Sequence, residues 1–326
     1  MRKIHIAEWE GRVGNNLIQL GRALHLAKCV GAEVILPDAG SCDTMQQELF
    51  LYTKTTQTSF MGLRVPGKTE KKPYRFMCER AFYDIPVKLP PLFTSKFNSG
   101  DRIYSDLLAD QRMHRSQYSP RMRDIFIQHI KPHLDRNVFR HVKKKSIDSD
   151  TLTIHLRAGD IMNPKTTHPH FPQAPLSFFT KVLSGEKFRK VIVCTEHSQF
   201  ANPVLRYLVT YCQNRNIECD VSHRSAAEDM YILANSTNLA VGGNTSFSRS
   251  LILCSPEICN IFVPRIVDDH RPEIMVTSFY NNPSVRVTSY VFPDYFPRDS
   301  AWLASEEQKH RMISHPEEKV VLHSIT

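Results

Sequence analysis

Asp229-Met-Tyr-Ile-Leu-Ala-Asn-Ser-Thr-Asn-Leu-Ala-Val-Gly-Gly-Asn-Thr-Ser-Phe-Ser-Arg-Ser-Leu-Ile-Leu-Cys254 carries the pattern that decides the fold reading. It reads as a helix, a short buried strand at Leu239-Ala240-Val241, two glycines and a second helix. Gly242-Gly243 lets the backbone turn tightly or come close to a ligand. Asn244, Thr245 and Ser246 are N-cap types, and the apolar run Leu251-Ile252-Leu253 lies further along the second helix. A helix that opens just past a strand end aims free N–H groups and a positive dipole end at one point, which suits a phosphate. The Ser and Thr hydroxyls add donors. An ordinary strand-to-helix turn accounts for the stretch equally well, since a short Gly-rich turn is a weak signal.

Outward from this stretch the same alternation repeats. Strands are expected at 151–156, 190–195, 217–221, 239–241 and 259–264, with helices at 175–184, 204–214, 226–235 and 247–254. Strands separated by helices imply right-handed crossovers and a mostly parallel sheet. A last helix is expected within 301–314, in a tail that otherwise has no clear pattern.

The chain also opens β-loop-α-β. Residues 3–9 alternate as a strand, and Gly11-Arg-Val-Gly-Asn-Asn16 forms the loop. Leu17, Leu20, Leu24 and Ala27 share one face of a helix that stops near Gly31, and 33–37 is the second strand. The glycine spacing is not G-x-G-x-x-G, so no dinucleotide fingerprint is present. Residues 38–100 are irregular and rich in Pro, Thr, Lys and aromatics, as a substrate-facing region or plain long loops would be. Segments 104–108 and 122–134 read as helical, and the polar run at 137–150 reads as a linker. The expected division is an α/β domain over 1–148 and a second over 149–326, facing each other across a cleft. Ligands of such domains bind at the carboxyl ends of the strands.

At 326 residues the chain is long for one core, and 41% apolar content is enough to bury real ones. No apolar run nears the roughly 18 residues of a spanning helix. Residues 1–9 lack the apolar core of a signal peptide, so a cytoplasmic location and no membrane span are expected. The eight cysteines are scattered without a C-x-x-C pair, which argues against zinc or a disulfide framework. The formal charge of +9 favours polyanions: nucleic acid, a membrane surface or phosphorylated small molecules. No recognition motif accompanies it, so no nucleic-acid partner is expected. His168-Pro-His170 has alternating His spacing, but a pair in a Pro-rich loop reads as solvent-facing rather than as a metal site.

His155-Leu-Arg-Ala-Gly-Asp160 ends the first strand of the second domain. Alternation puts His155 and Arg157 on one face. Arg157 then stands where strand gives way to cleft, and its planar, permanently charged fork can hold two pyrophosphate oxygens. Asp160 would orient Arg157 or act on substrate. A structural Arg–Asp pair at a strand end is an equally good reading of the residue types alone.

This hexapeptide resembles the H-x-R-R-G-D motif of the α1,2- and α1,6-fucosyltransferase group, a superfamily that includes the protein O-fucosyltransferases. Gly11-Arg-Val-Gly-Asn-Asn16 resembles the G-x-x-G-N-Q loop of that superfamily, and Asp229 with Thr245-Ser-Phe-Ser248 resembles a third motif. The three occur in the family's order over about residues 8–255. The resemblance implies the GT-B fold: two Rossmann-like domains, an acceptor-side one and a nucleotide-sugar-binding one. It implies an inverting, metal-independent glycosyltransferase with a glycan or glycoprotein acceptor, no cofactor, and GDP-fucose as leading donor. It assigns Arg157 to the donor diphosphate, and His155 and Asp229 to the base or ribose. Thr245, Ser246, Phe247 and Ser248 fall to the pyrophosphate and nearby sugar, and Gly14 and Asn15 to the donor from the first domain. Ala158 replaces the second Arg of the motif, Asn16 its Gln, and Arg249-Ser250 follows Ser-Phe-Ser in place of a Trp pair. These departures leave rhamnose or xylose donors open, as well as a non-catalytic nucleotide- or glycan-binding relative. Carboxylates at expected strand ends include Glu8, Asp38, Asp43 and Asp160, and Asp160 and Glu8 are the first candidates for the base that takes the acceptor proton.

Overall fold

The computed structural model describes residues 2–5, 9, 12–30, 32–36, 59–60, 63–64, 123–144, 146–243, 245–266, 284–297 and 300–324. The chain divides into two compact units, Met1–His141 and Val142–Thr326.

In the first unit β1 (Arg2–His5), α1 (Val13–Val30) and β2 (Ala32–Ile35) form a βαβ unit. β1 and β2 are parallel, with His5 opposite Ile35. Two short strands, β3 (Ser59–Phe60) and β4 (Leu63–Arg64), pair antiparallel, and β4 adds in parallel to β2. Leu17, Leu20 and Leu24 bury one stripe of α1, as their spacing requires. A Cβ at Gly21 would collide with the Phe126 ring, so a larger residue there would push the two apart. The segment expected as one helix at 122–134 contains a π-helical turn, Phe126–Ile130, running into α2 (Lys131–Asn137). Pro132 falls in the first turn of α2, where its missing N–H costs little. The helix expected at 104–108, and 38–100 apart from β3 and β4, lie outside the described residues.

The second unit is a seven-stranded sheet. Its elements are β5 (Thr151–His155), α3 (Leu176–Gly185), β6 (Lys190–Cys194), α4 (Val204–Asn214), β7 (Glu218–Asp220), α5 (Ala226–Ala234), β8 (Asn238–Val241), α6 (Ser246–Leu253), β9 (Asn260–Arg265), β10 (Arg286–Val291), α7 (Glu306–Ser314) and β11 (Val321–Ser324). The order is β11-β10-β9-β8-β5-β6-β7, with every pair parallel except β10 and β11. From β5 the chain winds outward through β6 to β7, then returns to the other side of β5 for β8, β9 and β10. This is doubly wound topology, and the winding reverses between β5 and β8. β5, the inner strand, alternates Thr and His with Leu and Ile yet is buried at every position, because the sheet is covered on both faces there. Leu152, Ile154, Val191 and Val193 meet Phe178 and Phe179 of α3 in the core.

Sequence periodicity anticipates β5 to β9 and α3 to α6 within about two residues at each end, the ordinary scatter of helix and strand ends. It does not anticipate β10 or β11. The segment between them folds back over the sheet. The Tyr295 hydroxyl donates to the Gln173 carbonyl at 2.7 Å, and the Trp302 backbone N–H to the Pro169 carbonyl at 2.8 Å. α7 starts at a capping box of Ser305 and Gln308.

Candidate active site

The carboxyl end of β5 is tied down by backbone bonds. Leu156 N–H donates to the Cys194 carbonyl at 3.0 Å, and Gly159 N–H to the Phe200 carbonyl at 3.0 Å. Gly159 has φ of 64°, a backbone conformation that favours glycine, while the Glu196 carboxylate that a Cβ would meet is the end of an exposed side chain that can swing aside. The Asn202 amide donates to the Arg157 carbonyl at 3.0 Å while its oxygen accepts from Val204 N–H at the start of α4. The Arg157 side chain is held as well. Its Nη2 donates to Asp160 Oδ2 at 3.1 Å, and its guanidinium lies 5.6 Å from the Phe171 ring centre. Arg157 nonetheless keeps 27% of its side chain exposed. The result is an oriented, permanently charged fork at the strand end.

Across the switch point, Gly242 N–H donates to the His155 carbonyl at 3.0 Å. A Cβ on Gly242 would lie 2.8 Å from that carbonyl, and one on Gly243 3.0 Å from the Gln173 amide. The glycine pair thus lets β8 and the Gln173 segment close over the end of β5. Thr245 is the N-cap of α6, and its hydroxyl oxygen accepts from Phe247 N–H at 3.3 Å. Its hydroxyl hydrogen is left to donate elsewhere. Ser246 and Phe247 are half-buried. Ser248 is fully buried, and its hydroxyl has no hydrogen-bond partner among the described residues.

His155 packs its ring 5.5 Å from that of Phe247. Burial, and next the charge of Arg157, push its pKa down to about 3, so the imidazole is neutral near pH 7. Its Nδ1 is buried and has no hydrogen-bond partner among the described residues. His155, Arg157, Thr245, Ser246, Phe247 and Ser248 therefore gather around the carboxyl ends of β5 and β8.

Asp229 sits one strand away, in the first turn of α5. That helix starts at a capping box of Ser225 and Glu228. Just before it, the buried Arg224 donates to the Val193 carbonyl at 2.9 Å and pairs with Asp220 at 2.6 Å, while Asp229 lies 3.7 Å away. Arg224 thus serves Asp220 first, and burial prevails at Asp229, raising its pKa to about 6. The thiol of Cys194, in register with His155, abuts Asp229, and burial pushes that thiol well above its usual range.

The remaining candidates belong elsewhere. Gly14 is buried and Asn15 half-buried in the first turn of α1, in the other unit. Glu8, Asp38, Asp43 and Asn244 lie outside the described residues. Phe171, Gln173, Asn202, Glu196 and Arg224 shape the site without having been singled out from the sequence. Asn202-Pro203 ahead of an apolar helix and the Ser225-Ala-Ala-Glu228 capping box were legible signals. Phe171 has no local signal. Among the described residues no group of three or more His, Cys, Asp or Glu could hold a metal ion, and no helix is long and apolar enough to cross a membrane.

No protein-family model matches the chain, and no curated protein matches it. Solved structures that match the chain include POFUT1 in its apo form, at 12% identity over 77% of this chain and 94% of that one, with a TM-score of 0.39. POFUT1 in complex with GDP-fucose matches at 12% identity over 79% and 96%, with a TM-score of 0.38. NodZ alpha-1,6-fucosyltransferase co-crystallized with GDP matches at 18% identity over 78% and 93%, with a TM-score of 0.39. Likeness this distant carries no inference about activity. The class that the fold itself defines is a doubly wound α/β protein with polar groups converging at its switch point.

Proposed function

We propose that the protein is an inverting, metal-independent glycosyltransferase of GT-B architecture. It transfers a sugar, with L-fucose from GDP-fucose as the leading donor, to a hydroxyl of a glycan or glycoprotein. The observation that carries this reading is the meeting of the Arg157 fork and the opening of α6 at the β5–β8 switch point. The three sequence motifs agree with it.

In this reading the bond between the anomeric carbon and the diphosphate oxygen breaks, and negative charge builds on the departing nucleotide. Arg157, the Thr245 and Ser246 hydroxyls and the α6 N-terminus oppose that charge, the task a metal ion performs in other transferases. Asp229 and the neutral imidazole of His155 take the ribose or base, and Gly14 and Asn15 contact the donor from the first domain. The acceptor oxygen bonds the anomeric carbon from the opposite face and gives up its proton to a base. Asp160, engaged with Arg157, fits the role of orienting that arginine, which leaves Glu8 as the carboxylate to test as base. Ala158, buried where the family motif has a second arginine, favours one alternative: a relative that binds donor without turnover.

Calorimetry with GDP, UDP, GDP-fucose, GDP-mannose, UDP-rhamnose and UDP-xylose, with and without divalent metal, tests the reading. Metal-independent, GDP-selective binding lost in Arg157→Ala is expected, followed by transfer to a glycan acceptor. UDP selectivity would replace the donor. No binding by any nucleotide would overturn the proposal.

A further inference from the structure

We propose that His197 and His223 together form a stacking platform for the base of the bound nucleotide. This rests on the nucleotide-sugar reading of the switch point and adds a contact that none of the three motifs contains. His197 lies three residues beyond the end of β6, and His223 three beyond the end of β7. β6 and β7 are adjacent and parallel, so both loops leave the same edge of the sheet as Arg157. The two imidazoles meet with centroids 4.5 Å apart and planes 25° from parallel. Both are exposed, and neither ring makes a hydrogen bond or ion pair among the described residues. The pair caps no helix and anchors no loop by polar contacts. Each ring covers the inner face of the other, which leaves the outer face of an imidazole, backed by its partner, for a further ring to stack on.

The placement gives that surface a use. With phosphates at Arg157 and α6, a nucleotide has two directions in which to extend along the sheet edge. Towards β8 and β9, the Gln173 segment closes against Gly243. Towards β6 and β7 stands Asp229, and the histidine pair adjoins it. Arg224, the residue after His223, lies 3.7 Å from Asp229, and Cys194, three residues before His197, touches the same carboxyl group. Adjacent strands are about 4.8 Å apart, so the ends of β5 and β7 are separated by roughly 10 Å. A nucleoside diphosphate bridges such a distance from phosphate to base. Stacking accepts any base but favours a purine, whose larger π-face overlaps the outer imidazole more fully.

The test is calorimetry on the full chain with GDP, UDP and inorganic pyrophosphate. The proteins are wild type, His197→Ala, His223→Ala and His223→Phe, each checked by thermal melting. Loss of a base-stacking contact corresponds to roughly 5- to 100-fold weaker binding. We expect that loss for GDP in both alanine variants, a smaller loss for UDP, no change for pyrophosphate, and recovery of GDP binding in His223→Phe. Unchanged GDP affinity in the alanine variants would overturn the platform, as would equal losses of GDP and pyrophosphate. Wild-type binding of pyrophosphate as tight as that of GDP would overturn it too, and would leave the phosphate site standing. Wild-type protein that binds none of the three would bring down the nucleotide reading and the platform with it.

Discussion

The indole N–H of Trp302 donates to the carbonyl oxygen of Ile161 at 2.9 Å, joining residues 141 positions apart. With the bonds from Trp302 N–H to Pro169 and from the Tyr295 hydroxyl to Gln173, it fixes the loop that places Phe171 against Arg157 and Gln173 against Gly243. Tyr295 and Trp302 are both buried. Tyr295→Phe should leave one buried carbonyl unpaired and cost about 1–3 kcal/mol. Trp302→Ala should cost about 3–5 kcal/mol, the range for truncating a buried aromatic. Urea denaturation measures both, and a loss below 0.5 kcal/mol in Tyr295→Phe, about the least a net hydrogen bond contributes, would show that the loop is held by other means.

Arg157→Lys keeps a positive charge but loses the planar fork. Diphosphate affinity should fall by about tenfold or more, the scale of one charge-assisted hydrogen bond. Asp160→Asn separates the two roles considered for Asp160. As the group that orients Arg157, its loss should weaken diphosphate binding and leave the shape of the pH–rate profile intact. Disappearance of the acidic limb of that profile would instead mark Asp160 as the base.

Two groups make stability depend on pH in opposite senses. His155 titrates near 3 in the folded state and near 6.5 in the unfolded chain. Between these values the unfolded chain binds more protons, so stability complete above pH 6.5 is withdrawn as pH falls towards 3. Asp229 titrates near 6 when folded and about 3.9 when unfolded, so the folded state binds more protons across that window and its burial lowers stability as pH rises through it. His155→Gln should flatten the acid side of the stability curve, and Asp229→Asn should raise stability at pH 7. Ring titration of His155 by NMR checks the first directly, and a midpoint above 5 would contradict its burial as a neutral imidazole.

Gly159→Ala must place a side chain at φ of 64° against the Glu196 carboxylate. Gly242→Ala must place one 2.8 Å from the His155 carbonyl. Each should cost about 1–3 kcal/mol, the scale of local backbone strain. Gly185→Ala, where a Cβ meets nothing within 4 Å, is the control and should be close to neutral or stabilising. Denaturant midpoints of the three variants rank them, and equal midpoints would show that the turns yield without strain.

Much of the second unit was legible because its inner strands are short apolar runs bounded by turn residues, and its helices keep a 3.6-residue period. The helix read at 204–214 is α4, residue for residue. Other features follow from contacts that no local period encodes. β10 gains its place from pairing with β9, and Phe171 its meaning from the guanidinium above it. The π-helical turn at Phe126–Ile130 lies inside a stretch with ordinary helical spacing, which does not register one widened turn. At the site, residue types and strand alternation single out Arg157, while Asn202 and Gln173, which hold its surroundings in place, lie far from it in sequence.

The brace from Tyr295 and Trp302 also sets an order of events during synthesis. A ribosome emits roughly 5–20 residues per second, amino end first. The strands β5 to β9 and the glycine turn are thus in existence before the two aromatic residues that clasp the 161–173 loop. Until Trp302 is made, the carbonyls of Ile161 and Pro169 lack their indole and amide partners. The edge of this unit that carries Arg157 is thus completed late, by a tail in which only the helix within 301–314 has a clear sequence pattern.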